Sequence, residues 1–183
     1  PTTALNNGPR HASIDLDRDG LNDLSLGADA DPEFDGQPDI HALGDDNIGF
    51  SNDEDGVQIT GGLFPGKITT AVVQSTGNGL LNAWMDFNGD GSWDGFNSTD
   101  PGTGNPVFVS EQIFTDQALS SGTNHLIFNV PVQASFTITY ARFRLSTESG
   151  LSYTGAASDG EVEDYAYTSA LQDVIFEDSF ESL

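Results

Sequence analysis

Residues Leu81–Asp94, LNAWMDFNGDGSWD, turn a hydrophobic alternation directly into a run of oxygen-bearing side chains. Leu81, Ala83, Met85 and Phe87 recur at the period of two that marks a strand. Counting from Asp86, the oxygen donors fall at positions 1, 3, 5 and 9: Asp86, Asn88, Asp90 and Asp94. Gly91 at position 6 permits a sharp turn that brings the main-chain carbonyl of Ser92, at position 7, to the same side. This is the spacing of a calcium loop. An EF-hand would add a bidentate Glu at position 12 and a helix on each side, whereas position 12 is Asn97 and the flanks alternate like strands. The expectation is therefore calcium on a β scaffold. The competing reading is a polar hairpin turn, since Asp, Asn and Gly make turns without metal. Four oxygens in register with the Gly favour the ion.

The rest of the chain agrees with such a scaffold. Gly (21), Pro (8) and Phe (12) punctuate short apolar runs, and helical patterning is scarce, which predicts an all-β, antiparallel, jelly-roll-like β-sandwich with calcium-binding loops. Strands are expected over 57–60, 67–74, 81–87, 107–114, 126–130, 136–146 and 164–168. Phe96–Pro106 and Pro1–Ala12 read as irregular, and Ala170–Leu183 as an edge strand or a linker. The division is residues 1–56 as an acidic calcium-loop segment packed on the sandwich, 57–169 as the sandwich core, and 170–183 as that C-terminal strand or linker. In Phe136–Ser146 the apolar phase switches after Tyr140, which predicts a bulge or a strand covered on both faces.

Charge narrows the partners. There are 29 acids against five bases, a net charge of −24. Nucleic acid and insertion into an anionic membrane are excluded as expectations, because a surface of this sign repels both. No apolar run approaches the roughly 18 residues of a membrane span, and the chain opens at Pro1, as a mature or excised segment would. No Cys is present, so cohesion must come from the core and from bound ions. The acids are clustered: 14 lie between Asp15 and Asp55 and nine between Glu148 and Glu181. Asp15, Asp17, Asp19, Gly20 and Asp23 repeat the Asp86 spacing, with Ile14, Leu21, Leu24 and Leu26 to anchor the loop, the alternative being a solvated acidic linker. Asp31, Glu33, Asp35 and Asp39 repeat it in weaker form. Asp45, Asp46, Asp53, Glu54 and Asp55 crowd like charges that a shared ion or solvent must screen. Near the C-terminus, Glu161 and Glu163 face one way and Asp164 the other in an extended segment, available to a metal or to Arg142 and Arg144.

Several pieces in order resemble the GEVED domain of bacterial secreted and cell-surface proteins: Gly160-Glu161-Val162-Glu163-Asp164, Gly8-Pro9-Arg10-His11, Asp35-Gly36-Gln37-Pro38, Gly44-Asp45-Asp46, Asp53-Glu54-Asp55-Gly56-Val57, Ala83–Asp94 and Ala141-Arg142-Phe143-Arg144. The resemblance spans most of Gly8–Thr168. The IDLDRDGLND loop around Asp15 is an insertion relative to that pattern, so its role rests on spacing alone. The resemblance implies a secreted or surface-exposed bacterial accessory module joined to other modules of a parent chain, with calcium, and it implies no established catalytic activity. At a net charge of −24, any ligand of the chain is expected to be a neutral polysaccharide or a protein. Trp84, Trp93, Phe96 and Tyr153 near the Asp86 loop are the candidates to stack on sugar rings, if Trp84 is not core and Trp93 not packed over its own loop. The competing functions are a purely structural spacer and a polysaccharide-acting enzyme with a carboxylate pair. Among His11, His41 and His125 there is no metal-ligand spacing, and no nucleophile elbow is visible.

Overall fold

In the computed structural model the described residues are 9–11, 24–27 and 55–168, and every regular element among them is a β-strand. They are β1 (Pro9–His11), β2 (Val57–Thr60), β3 (Ile68–Ser75), β4 (Gly79–Met85), β5 (Phe96–Thr99), β6 (Pro106–Val109), β7 (Gln112–Leu119), β8 (Gly122–Asn129), β9 (Ile138–Ser146), β10 (Gly155–Ala157) and β11 (Glu161–Thr168). A four-stranded antiparallel sheet has the order β11-β9-β4-β7, and a three-stranded one the order β2-β3-β8. Two small sheets complete the fold: the antiparallel pair β5-β6 and the parallel pair β1-β10.

The two larger sheets pack face to face because each offers one apolar side. Ala71 and Val73 of β3 and Phe128 of β8 meet Leu81, Ala83 and Met85 of β4, Phe114 of β7, and Ala141, Phe143 and Leu145 of β9 in one buried core. Phe114 and Phe128 join the sheets edge to face, with ring centroids 5.8 Å apart. Burying such side chains contributes about 1.5–3 kcal/mol each, which is the main source of cohesion in a chain without disulfides.

The other face of the four-stranded sheet is covered as well, so β4 and β9 are buried on both sides. In β9 the even-numbered residues Arg142, Arg144 and Ser146 are as buried as Ala141, Phe143 and Leu145. The phase switch in 136–146 therefore reports a strand covered on both faces. Its pairing with β11 runs in continuous register from Leu145↔Glu161 to Ile138↔Thr168. The irregularity lies in β4–β7, where the register shifts around Ala83. There Asp116 adopts φ 46° and exchanges hydrogen bonds with Asn82, its main-chain N–H and its carboxylate both engaging the amide.

Three local expectations change. The run 107–114 is two strands, β6 and β7, broken at Ser110–Glu111, and Phe96–Thr99 within the expected loop is β5, paired with β6. Pro9–His11 within the expected irregular segment is β1, held by β10. From the acidic segment 1–56, Leu24 and Leu26 enter the core, and Leu26 bridges Ser75. The remainder of that segment, and Ala170–Leu183, lie outside the described residues. No helix among the described residues is long and apolar enough to cross a membrane.

Candidate functional site

β4 ends at Met85 and delivers Asp86 beneath the loop that follows. Its carboxylate is 1% exposed and serves as the loop's internal anchor. Oδ1 accepts the N–H groups of Gly89 (2.7 Å) and Asp90 (3.2 Å), and Oδ2 that of Gly91 (2.8 Å). Gly91 has φ 81°, the left-handed turn that position 6 requires. The exposed side chains form a chain of local bonds: Asn88 Oδ1 accepts from Asp90 N–H, Asn88 Nδ2 donates to Asp90 Oδ2, Asp90 Oδ1 accepts from Ser92 N–H, and Ser92 Oγ donates to Asp94 Oδ2. Asp94 Oδ1 also accepts from the Tyr153 hydroxyl at 2.5 Å, which pushes that phenol up to about 12.

The feature that spacing did not disclose is Glu111. It lies at the break between β6 and β7, 1% exposed, and binds both ends of the loop from below. Oε1 accepts from Phe87 N–H at 2.8 Å and Oε2 from Gly95 N–H at 3.2 Å. Burial, and then the nearby Asp86 charge, raise its pKa to about 7. Position 12 of an EF-hand is its acidic residue, and here Asn97 stands there on β5, exposed. The β5–β6 hairpin leads away and returns a glutamate to the loop at 111. A lone acid inside VFVSEQIF was the available signal.

Around the loop sits an aromatic and cationic layer. Trp84 and Trp93 are each 4% exposed, and both meet Tyr153 edge to face, at 6.0 and 5.7 Å. Trp93 donates Nε1–H to the Tyr140 carbonyl, and the Arg142 guanidinium lies over its ring at 4.8 Å. Of the two readings open for these indoles, sugar platform or packed side chain, the packed one describes both, because the outer face of β4 and β9 needs cover. Phe96 is half-buried against the core, and Tyr153 is half-buried.

The carboxylates of β11 separate as alternation predicts, and each holds a different piece of chain. Glu161 Oε2 accepts from Leu26 N–H at 2.5 Å. Glu163 Oε1 accepts from the N–H groups of Asp55 and Gly56, and its Oε2 from the Tyr165 hydroxyl. Burial raises the Glu163 pKa to about 8. On the opposite face Asp164 makes a two-pronged ion pair with Arg142, at 2.7 Å to Nε and 2.5 Å to Nη2. Arg144 takes a different course from the expected carboxylate pairing. Fully buried, it donates to the carbonyls of Ser152, Thr154 and Gly155 and to His11 Nε2 at 2.9 Å. His11 can accept there because burial, reinforced by the Arg144 charge, lowers its pKa to about 3, while its Nδ1–H donates to the Asp159 carbonyl.

Gly160 opens this motif at φ 84°, and a Cβ there would lie 1.9 Å from the Leu145 carbonyl oxygen. Only glycine allows β11 to approach β9 at that point. The glycine, the two inward glutamates and the outward aspartate thus all have steric or hydrogen-bonding tasks. Residues 80–168, which contain the loop, Glu111, both arginines and this motif, match a family model described as the GEVED domain. Over that stretch the chain is similar to the GEVED domain family. No curated protein and no solved structure matches the chain.

Within the matched stretch, the oxygens open to a cation are those of Asn88, Asp90, Ser92 and Asp94, with Asp86 below. Oxygen-only donors suit a hard ion such as calcium. A carboxylate has about four acceptor positions, so Asp86 keeps one beyond its three N–H bonds. Among the described residues no three Asp, Glu or His side chains converge as a group able to hold an ion, so the amide of Asn88 and main-chain or hydroxyl oxygen at Ser92 are needed to complete a set. Glu161, Glu163 and Asp164 are committed to main-chain N–H groups or to Arg142, and Asp55 contributes its own N–H to Glu163. Asp15, Asp17, Asp19, Asp23, Asp45, Asp46 and Asp53, with the weaker loop at Asp31, lie outside the described residues.

Proposed function

We propose that this chain is a calcium-stabilised, non-catalytic module of a bacterial secreted or cell-surface protein, which binds a neutral polysaccharide or a protein. The observation that carries the reading is the Asp86–Asp94 loop: a strand ends in a buried aspartate that shapes a turn of exposed oxygen donors, and Glu111 braces the turn from beneath. Asp86, Asn88, Asp90, Ser92 and Asp94 would hold the ion, and the ion would supply the positive charge that the loop lacks. An extracellular setting would suit such a loop, because calcium modules outside the cell bind with a Kd of about 10⁻⁴–10⁻³ M. A non-catalytic role is supported by the buried carboxylates Asp86, Glu111 and Glu163, which are spent on main-chain N–H groups instead of facing a cleft as a pair.

The test is thermal melting in 10 mM calcium, in 10 mM magnesium and in chelator. With a Kd of about 0.1 mM, calcium at 100 times Kd stabilises by about 2.7 kcal/mol, which is about 5–10 °C for a domain of this size. Magnesium, which demands a tighter octahedron, should do less. Equal melting in calcium and chelator would remove the reading. A purely structural spacer is the second reading, favoured by the burial of Trp84 and Trp93, which leaves neither indole face open to a sugar.

A further inference from the structure

A cavity of about 430 Å³, wide open to solvent and nearer a surface hollow than an enclosed site, lies on the Asn88 side of the loop, lined by Asn88, Gly89, Ser135, Phe136, Thr137 and Ile138. Its volume falls within the roughly 300–1,000 Å³ typical of small-molecule sites. In a chain of net charge −24, none of these six residues carries a formal charge. The lining is divided by chemistry. Phe136 packs its half-buried ring against the core and Ile138 stands 51% exposed, forming an apolar side. The hydroxyls of Ser135 and Thr137 and the amide of Asn88 form a polar side, and Asn88 Nδ2 gives one N–H to Asp90 and retains the other.

The wall opposite the loop is tied to the loop itself. Ser135 N–H donates to the Phe87 carbonyl at 2.8 Å, and the Thr139 hydroxyl to the Asp86 carbonyl at 2.5 Å. A change in the course of the chain at Asp86–Phe87 therefore moves both sides of the cavity.

We propose that this cavity holds one neutral sugar unit of a polysaccharide, and that its occupancy is coupled to cation binding in the Asp86 loop. This names the ligand site of the module proposed above and rests on that cation reading. A pyranose has an apolar C–H face for Phe136 and Ile138 and a hydroxyl edge for Ser135, Thr137 and Asn88. An anionic ligand would meet Asp86, Asp90 and Asp94 with no base in the lining. Through Asn88, a cation would fix one wall of the site and bring its amide to a single orientation, which lowers the ordering cost of binding.

The experiment is calorimetric titration of the folded chain with soluble β-glucan, xyloglucan, galactomannan and dextran, with alginate as the anionic control, each in 10 mM calcium and in chelator. Ile138→Asp places a charge in the apolar wall and Thr137→Trp fills the cavity. Both positions are exposed, and two unlike variants guard against a folding defect in either. The calcium-dependent melting shift is recorded for every variant as a separate readout of the cation loop. The expected result is binding of at least one neutral polysaccharide, weakened in chelator by roughly 5–150-fold. Both variants should abolish binding while keeping the calcium-dependent melting shift. A normal melting shift with no neutral polysaccharide bound overturns the sugar site and leaves the cation reading standing. Binding that both variants retain also overturns it. Absence of the melting shift removes the cation reading, and chelator-insensitive binding then overturns the coupled site.

Discussion

Glu163 holds its proton more tightly in the folded chain than outside it, because two main-chain N–H groups and a tyrosine hydroxyl offset only part of the cost of burying its charge. With the folded pKa raised from 4.5 to about 8, its contribution to stability is fully present below about pH 4.5 and is lost as pH rises through about 8. Glu163→Gln keeps the shape and removes the titration. Urea midpoints at pH 5 and pH 8.5 in chelator should therefore fall less between the two for the variant than for the parent chain. Equal losses would mean that the carboxylate is ionised in place at both pH values. His11 works in the opposite sense: with its pKa lowered to about 3, its contribution is present above about 6.5 and fades on acidification, when the ring can no longer accept from Arg144. Trp93 is a packing residue at this scale. Trp93→Ala should cost about 3–5 kcal/mol, read as a drop in the urea midpoint at unchanged slope, because the indole supports Arg142 and Tyr153 at once.

Among the elements, β11 depends on how closely its first turn meets β9. Gly160→Ala would combine the roughly 1–2 kcal/mol of a left-handed non-glycine residue with a collision against the Leu145 carbonyl. We expect a loss of several kcal/mol, seen as poor soluble yield or a midpoint far below that of the parent. If Gly160→Ala melted like the parent, the close approach of the two strands would be wrong. The same scale explains which elements could be read in advance. β3, β4, β8, β9 and β11 carry seven to nine residues each, enough for alternation or an unbroken apolar run to show, although β8 begins four residues and β11 three residues before the expected strands at 126 and 164. β1 and β10 have three residues apiece and exist because each finds the other from a distance along the chain. The Asp86 loop was legible because its donors are local in sequence. Glu111, 24 residues from the Phe87 N–H it receives, and His11, 133 residues from Arg144, act through space, where spacing carries no information. For Trp84 and Trp93 the sequence left platform and packing both open, because an aromatic beside a loop reads the same whether its face is open or covered.

For the whole molecule the dominant quantity is the net charge of −24. Self-repulsion of that size opposes the folded state and is screened over about 8 Å at physiological ionic strength. In chelator, raising sodium chloride from 10 to 500 mM should raise the melting temperature. In 10 mM calcium the same titration should have a smaller effect, because specific binding already offsets charge at the loops. A flat salt response in chelator would show that the acids are spaced too widely to matter. The attachments made by β11 bear on a different matter, the order in which the chain is made. Glu161 receives Leu26 from 135 residues upstream, and Glu163 receives Gly56 from 107 upstream. At a synthesis rate of about 5–20 residues per second, Leu26 emerges roughly 7–27 s before the glutamate that fastens it. During that interval the early segment lacks its carboxylate anchors, so the GEVED motif closes the structure late, when nearly all of the described chain has already left the ribosome.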